Sequence, residues 1–241
     1  MVQDIKAKEA KMYEAELNEK DLMNKQQIME YKMLASQINP HYLYNTLETI
    51  RMKALTSGNR EVADCIKILG KTLHYVLENT GTSSTTLNKE LNHVENYLSI
   101  QKLRFGDRIN YAIEVQAGLK LDDYQILPLL LQPVVENAVV HGLEAINGMG
   151  LVIIAVAMVG KDELQISVSD SGTGMTEEEL LRIRTMLNTP ELHPQSSIAL
   201  YNINQRIRLW YGEEYGVTIE SQYGKGTMVI LNLPAFLPEN F

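Results

Sequence analysis

Four short segments hold side chains whose types and spacing could do chemistry. In the first, Asn39-Pro-His41-Tyr-Leu-Tyr-Asn45, an imidazole stands one helical turn before a carboxamide. A histidine that is neutral near pH 7 keeps a free ring lone pair and can act as a nucleophile. The second is Leu131-Gln-Pro-Val-Val-Glu136-Asn137-Ala-Val-Val-His141-Gly142. It sets a carboxylate able to serve as general base beside a carboxamide, whose oxygen is a hard ligand suited to Mg²⁺. The third, Asp170-Ser-Gly172-Thr-Gly174-Met175, follows directly on a strand pattern, and the fourth, Tyr223-Gly224-Lys-Gly226-Thr227, directly precedes the last one. Singly, each has a plain alternative. Asp-x-Gly-x-Gly after a strand is often only a turn, and a Pro-His pair on a helix is usually surface decoration. Asn137 can cap or pack a helix, Glu136 can be a solvated carboxylate, and Gly224 to Thr227 can be a glycine hairpin. The order, spacing and placement of the four together argue against coincidence.

The elements that must position these groups follow from periodicity. Residues 1–35 carry no proline or glycine and read as one long helix. A 4,3,4,3 count from Met1 through Ile5, Met12, Leu22, Met29 and Met33 makes a coiled-coil seam interrupted by Lys8, Glu19 and Gln26. Such a helix needs a partner subunit, unless it is a solvated tail. A second helix runs to about Leu55, with a kink expected at Pro40. At about 100° per residue, Leu47, Ile50 and Ala54 share a face with Leu43, while His41, Asn45 and Glu48 lie opposite. After the turn Thr56-Ser-Gly-Asn59, a helix from Arg60 to about Asn79 keeps the stripe Val62, Ile66, Leu69, Leu73, Val76. Two striped helices joined by a short turn form an αα-hairpin, and two hairpins from two subunits would close a four-helix bundle.

Thr80-Gly-Thr-Ser-Ser-Thr-Thr86 is a polar linker and the predicted domain boundary. Beyond it, Thr86 caps a helix to about Arg104 with Glu90 in its first turn. Ile109–Val115 alternates as a strand. Pro128 is expected to open a helix reaching Gly142. Strands 151–159 and 164–169, a helix capped by Thr176, a loop over 188–199, a helix 201–211 and a hairpin of 217–221 with 227–233 complete the chain. The fold class is therefore α plus α/β, with helices on one side of a sheet. The expected division is 1–35, signalling helix; 36–84, dimerisation hairpin; 85–241, α/β module.

Composition narrows the chemistry. Net charge is −8 over 241 residues, so a basic nucleic-acid footprint is absent. A single cysteine, Cys65, excludes a disulfide framework and a cysteine-rich zinc site; it is expected in the core or at an interface. No apolar run reaches the roughly 20 residues of a membrane span. His74, His93 and His193 match no chemical pattern and are read as structural or surface residues.

From Leu34 to Pro234 the sequence resembles the sensor histidine kinases of the LytS/YesM type. Their catalytic domain has the Bergerat fold shared with gyrase, Hsp90 and MutL. The Asn-Pro-His-Tyr-Leu-Tyr-Asn-Thr-Leu block is the specific signal, and the other three segments match the N, G1 and G3 boxes. The resemblance implies that His41 takes the γ-phosphoryl group of ATP, with Mg²⁺ across the phosphates held by Asn137. Glu136 is the candidate base, with Glu48 the weaker alternative, since Tyr42 and not an acid follows His41. Asn45 would assist phosphotransfer or dephosphorylation of the partner. His141, Leu200 and Asn202 fall within the nucleotide boxes. Asp170 would accept from the adenine amine, Gly172 and Gly174 would bring the backbone close to the base, and Gly224, Gly226 and Thr227 would line its other edge. The implied partners are a second copy of the chain and a response regulator. The expected location is the cytoplasm, with membrane attachment only through a sensor region outside this chain.

Two departures from the family pattern stand out. Ser197 and Ala199 replace both glycines of a Gly-x-Gly-Leu box, whose backbone N–H groups normally turn onto phosphates. Val140 stands where a basic residue is common. These motivate a rival reading, a degenerate kinase acting as dimeric scaffold or regulator phosphatase. A clamp-type ATPase is a third, against which the His41 block argues.

Overall fold

The computed structural model describes residues 40–79, 82–143, 148–188 and 198–235. The predicted helix 1–35, the distortion before His41, and Asn39, His193 and Ser197 lie outside them.

Helices α1 (Pro40–Thr56) and α2 (Arg60–Asn79) form the expected hairpin. Gly58, with φ +76°, turns the chain, and Asn59 caps α2 by accepting the Val62 N–H at 3.2 Å. Leu43, Leu47 and Ala54 are half-buried against α2, while Ile50, Val62 and Leu69 stay exposed. The hairpin thus keeps apolar side chains that, among the described residues, nothing covers.

The polar linker ends in a short strand, β1 (Thr85–Thr86), antiparallel to β3 (Gln125–Ile126). Thr86 then caps α3 (Leu87–Phe105), accepting from the Lys89 N–H at 3.3 Å. Strands β2 (Ile109–Val115), β4 (Gly150–Val159), β5 (Glu163–Asp170), β6 (Gly216–Gln222) and β7 (Gly226–Pro234) make one sheet in the order β2-β4-β5-β7-β6. Only β2 and β4 pair in parallel, joined by a crossover through helix α4 (Gln132–Asn137). Helices α5 (Glu177–Asn188) and α6 (Ile198–Tyr211) precede β6.

Strand alternation builds the core. Ile113, Ile154, Val168, Val229 and Ile219 stand side by side in one cross-strand row. They pack with Leu98, Leu131, Val135 and Ile207 from the helical layer. The next row toward the strand ends is Tyr111, Val152, Asp170, Thr227 and Ser221. The register therefore sets Asp170 and Thr227 directly opposite each other, on the face that looks toward the helices.

One expectation is corrected here. Pro128 does not open a helix to Gly142. Residues 128–131 form a turn in which Leu129 has φ +54°, and α4 begins only at Gln132. After Asn137 the helix widens into a π-helical segment, Ala138–Leu143. Such segments are found often at functional sites.

Candidate active site

Where the core rows end, Asp170 and Thr227 face a cavity of about 220 Å³. One wall is the α4–π segment, with Asn137, His141 and Gly142; the other comes from Gly174 and Met175, α5 and Leu200. Asp170 Oδ1 accepts the Gly172 N–H at 2.8 Å. Burial raises the Asp170 carboxyl above its ordinary range, and the N–H groups of Gly172 and Thr227 partly offset this. Ser221 accepts the Met175 N–H at 2.9 Å and lies 2.9 Å from the Thr227 hydroxyl, tying the loop after β5 to the ends of β6 and β7.

The glycines here let backbone meet backbone. A Cβ on Gly172 would lie 2.2 Å from the Gly142 carbonyl oxygen, and one on Gly226 would lie 1.9 Å from the Asp170 carbonyl oxygen. Gly142 and Gly174 line the cavity; Gly172, Gly224 and Gly226 do not. Gly224 closes the β6–β7 turn, and its N–H donates to Thr173.

The N-box helix rests on a ledge absent from the sequence reading. Glu90 on α3 is fully buried. Its carboxylate accepts the N–H groups of Leu129 at 3.1 Å, Leu130 at 2.7 Å and Leu131 at 2.9 Å, and the Tyr75 hydroxyl of α2. Burial, with Glu90 adjacent, pushes the Tyr75 hydroxyl far up, so it stays a donor. Arg206 on α6 donates to the carbonyls of Pro128 at 2.7 Å and Leu129 at 3.3 Å. Burial lowers the guanidinium, opposed by the nearby Glu90 charge. Tyr211, pushed up to about 12 by burial, accepts the Leu127 N–H at 3.0 Å. These contacts hold Leu129 in a backbone region that non-glycine residues avoid.

Glu136 and Asn137 follow on α4, both half-buried. Gln132 donates to Glu136 at 2.7 Å, and its oxygen meets Nε2 of buried His93. Asn137 makes no side-chain hydrogen bond with another described residue, so its amide oxygen is available to a cation on the cavity wall.

His41 is exposed on α1, and Asn45 Nδ2 lies 3.3 Å from both of its ring nitrogens. Glu48 is committed to Arg51, whose Nε donates at 2.7 Å, and that bond lowers the Glu48 carboxyl. His74 bridges Tyr44 at 3.0 Å and Glu78 at 3.0 Å, a structural role as expected. Cys65 is half-buried and free. Among the described residues, none from α1 lines the cavity.

Leu200 lines the cavity, whereas Asn202 is exposed and outside its lining. The buried amide of α6 is instead Asn204, which donates to the Leu187 carbonyl at 2.8 Å and accepts the Val217 N–H at 2.8 Å. Ala199 is half-buried in the first turn of α6, and Val140 is exposed beside His141. Sequence reasoning missed Glu179, Arg182 and Ile183 of α5, which line the cavity. The signal was the capping box Thr176-x-x-Glu179. Thr176 accepts the Glu179 N–H at 3.3 Å; its own N–H and its hydroxyl each donate to the Glu179 carboxylate at 2.9 Å, and those two bonds lower that carboxyl.

Comparison with known proteins agrees with this geometry. The family model described as histidine kinase matches residues 29–109. The model described as histidine kinase-, DNA gyrase B-, and HSP90-like ATPase matches residues 122–236. The chain is 33% identical over 220 residues to sensor histidine kinase YesM of Bacillus subtilis (strain 168), covering 90% of this chain and 35% of that protein. It is 37% identical over 217 residues to sensor protein LytS of Oceanobacillus iheyensis, covering 87% and 35%. It is 30% identical over 210 residues to YwpD of Bacillus subtilis (strain 168), covering 85% and 70%. Sheet, helical layer and cavity define a module of the gyrase B and HSP90 ATPase class, preceded by a helical hairpin. The chain belongs to the histidine kinase family. It spans only 35% of the length of YesM and of LytS. Among the described residues, no helix is long and apolar enough to cross a membrane.

Proposed function

We propose that this chain is the ATP-dependent kinase region of a two-component sensor: it phosphorylates His41 and passes the group to an aspartate of a response regulator. The observation that carries this reading is a pair of assemblies in one chain. Asp170 and Thr227 are paired at the end of the sheet, in a cavity walled by Asn137 and His141, and an exposed imidazole is braced by Asn45 on a separate hairpin.

The Asp170 carboxylate accepts the adenine amine, and Thr227 and Gly174 bound the base. Asn137 would hold a divalent cation through its amide oxygen, a hard donor that fits Mg²⁺, with His141 lining the cavity beside it, and the cation would supply charge neutralisation for the phosphates. A ring nitrogen of His41 bonds to the γ-phosphorus as the bond from that phosphorus to the β–γ bridging oxygen breaks. ADP leaves, and the proton on the other ring nitrogen passes to Glu136. Glu48 is tied to Arg51 and is the poorer acceptor. Asn45 orients the imidazole. The exposed apolar strip of Ile50, Val62 and Leu69 is the contact for a second copy.

The test uses γ-labelled ATP with Mg²⁺ on the full chain, beside His41→Gln and Asn137→Ala. Acid-labile label on the wild type, lost in both variants, is the expected result. Nucleotide binding without any label would refute the kinase reading and favour the scaffold, which the residues Val140 and Ala199 motivate. Label surviving His41→Gln would refute the acceptor.

A further inference from the structure

The setting of Glu136 depends on one amide. Gln132 stands one turn before it on α4 and donates Nε2–H to its Oε1 at 2.7 Å. The carboxylate decides which way that amide faces: turned over, Gln132 would oppose oxygen to oxygen. Its carbonyl oxygen therefore faces Nε2 of His93, which must carry the ring proton.

His93 is an expensive choice for this position. It is 1% exposed, and its Nδ1 has no hydrogen-bond partner. An apolar ring would fill the same space without stranding a nitrogen. What only a ring N–H supplies is the hold on Gln132. His93 is fixed in turn by Tyr75, whose ring is stacked on it with centroids 4.2 Å apart and planes 23° apart. Tyr75 belongs to α2, the helix packed against the one that carries His41.

We propose that Gln132 is a positioning residue for Glu136, and that Tyr75 and His93 make its setting depend on where α2 lies. The proposal rests on the reading of Glu136 as proton acceptor. With Oε1 held by Gln132, Oε2 is left to face the ring proton of His41. When α2 moves off His93, the imidazole loses its stacking wall, the Gln132 oxygen loses a fixed donor, and the carboxylate turns. The hairpin thereby tells the catalytic module whether the acceptor helix is in register.

The test is a mutant cycle on the full chain, read as autophosphorylation rate at saturating ATP and as ATP affinity. Gln132→Met keeps length and volume and removes both hydrogen bonds. It is expected to slow the reaction about tenfold, the size of a lost bond to a charged group, and to keep ATP affinity within about twofold of wild type. His93→Phe, which keeps the stack and removes the N–H, should slow it in the same direction. In the Glu136→Gln background, adding Gln132→Met should change the rate by less than about twofold. An equal loss in both backgrounds would show that Gln132 acts elsewhere and would overturn the proposal, as would a wild-type rate in Gln132→Met. If Glu136→Gln alone leaves the rate unchanged, the acceptor reading itself fails, and that single variant identifies which of the two was wrong. Should Gln132→Met fold poorly, Gln132→Asn, which draws the amide back by one methylene, carries the same cycle.

Discussion

Removing the Glu90 carboxylate should undo the ledge on which the site is built. Glu90 is fully buried and takes the N–H groups of Leu129, Leu130 and Leu131 and the hydroxyl of Tyr75. Glu90→Ala strands all of these at once. Each buried donor left without a partner costs about 1–3 kcal/mol. A water drawn into the vacated space recovers part of that, which leaves a loss of about 3–6 kcal/mol. Loss on that scale is a large share of the roughly 5–15 kcal/mol that holds a domain folded. Glu90→Gln is the discriminating partner. Its amide oxygen can still accept from Leu130 and Leu131, and the Tyr75 hydroxyl can turn to accept from the new N–H. Only the Leu129 N–H then meets a donor. The expected cost is about 2 kcal/mol, or about 4–8 °C in melting temperature for a module of this size. Thermal and urea unfolding of the full chain, followed by near-ultraviolet circular dichroism, measures both. An alanine variant within about 1 kcal/mol of wild type, well under the cost of even two stranded donors, would refute the reasoning. So would a glutamine variant less stable than alanine.

Two further outcomes follow from the same geometry. Burial raises the Asp170 carboxyl, so its folded form holds a proton more readily than the unfolded chain does. Stability is therefore lost as pH rises from about 4 through the folded-state value, and then levels off. Asp170→Asn should melt higher than wild type at pH 7, converge with it below pH 4, and lose about tenfold or more in ATP affinity by calorimetry; equal melting at pH 7 would contradict the burial cost. Leu69, 46% exposed on the uncovered strip of α2, should be a dimer contact, so Leu69→Lys is expected to sediment as a monomer while keeping ATP affinity, and an unchanged dimer would refute this face.

What the sequence made legible was local. The alternation of Val152, Ile154 and Val156 marks β4, the stripe of α2 is unbroken, and Thr86 and Thr176 announce their helices by capping chemistry. The pairing of Asp170 with Thr227 was accessible only through the box resemblance, because register is a property of two strands and not of either. The start of α4 was missed for a clear physical reason. Pro128 is an ordinary first-turn signal, but the N–H groups that a helix start would leave open are taken by Glu90, from a distant part of the chain. No pattern within residues 128–131 encodes that partner. Gln132 and Glu136 are four apart, so their bond was readable; the link to His93 was not. Asn202 and Asn204 differ only in which face of α6 they occupy. The sequence favoured the one within a box, whereas packing uses the other.

Two of these misses, the start of α4 and the link to His93, lie at the junction between hairpin and module. Tyr75 reaches Glu90 and lies on His93, so one side chain of α2 touches both the ledge under α4 and the chain leading to Glu136. Glu90 of α3 and Arg206 and Tyr211 of α6 hold residues 127–131 through hydrogen bonds. His41 stands on α1, outside the cavity lining. Bringing it to a bound nucleotide in the same chain therefore requires the hairpin to move relative to the module, which would part Tyr75 from His93 and undo the setting of Glu136. Packed aromatic and hydrogen-bonded contacts of this kind do not stretch by degrees; they are made or broken. Transfer from a second copy would leave Tyr75 in place. The accessibility of the Tyr75–His93 stack during turnover, read by hydrogen exchange of α2 and α3 with and without nucleotide, therefore separates transfer within one chain from transfer between two: protection lost on nucleotide binding marks the first, protection retained marks the second.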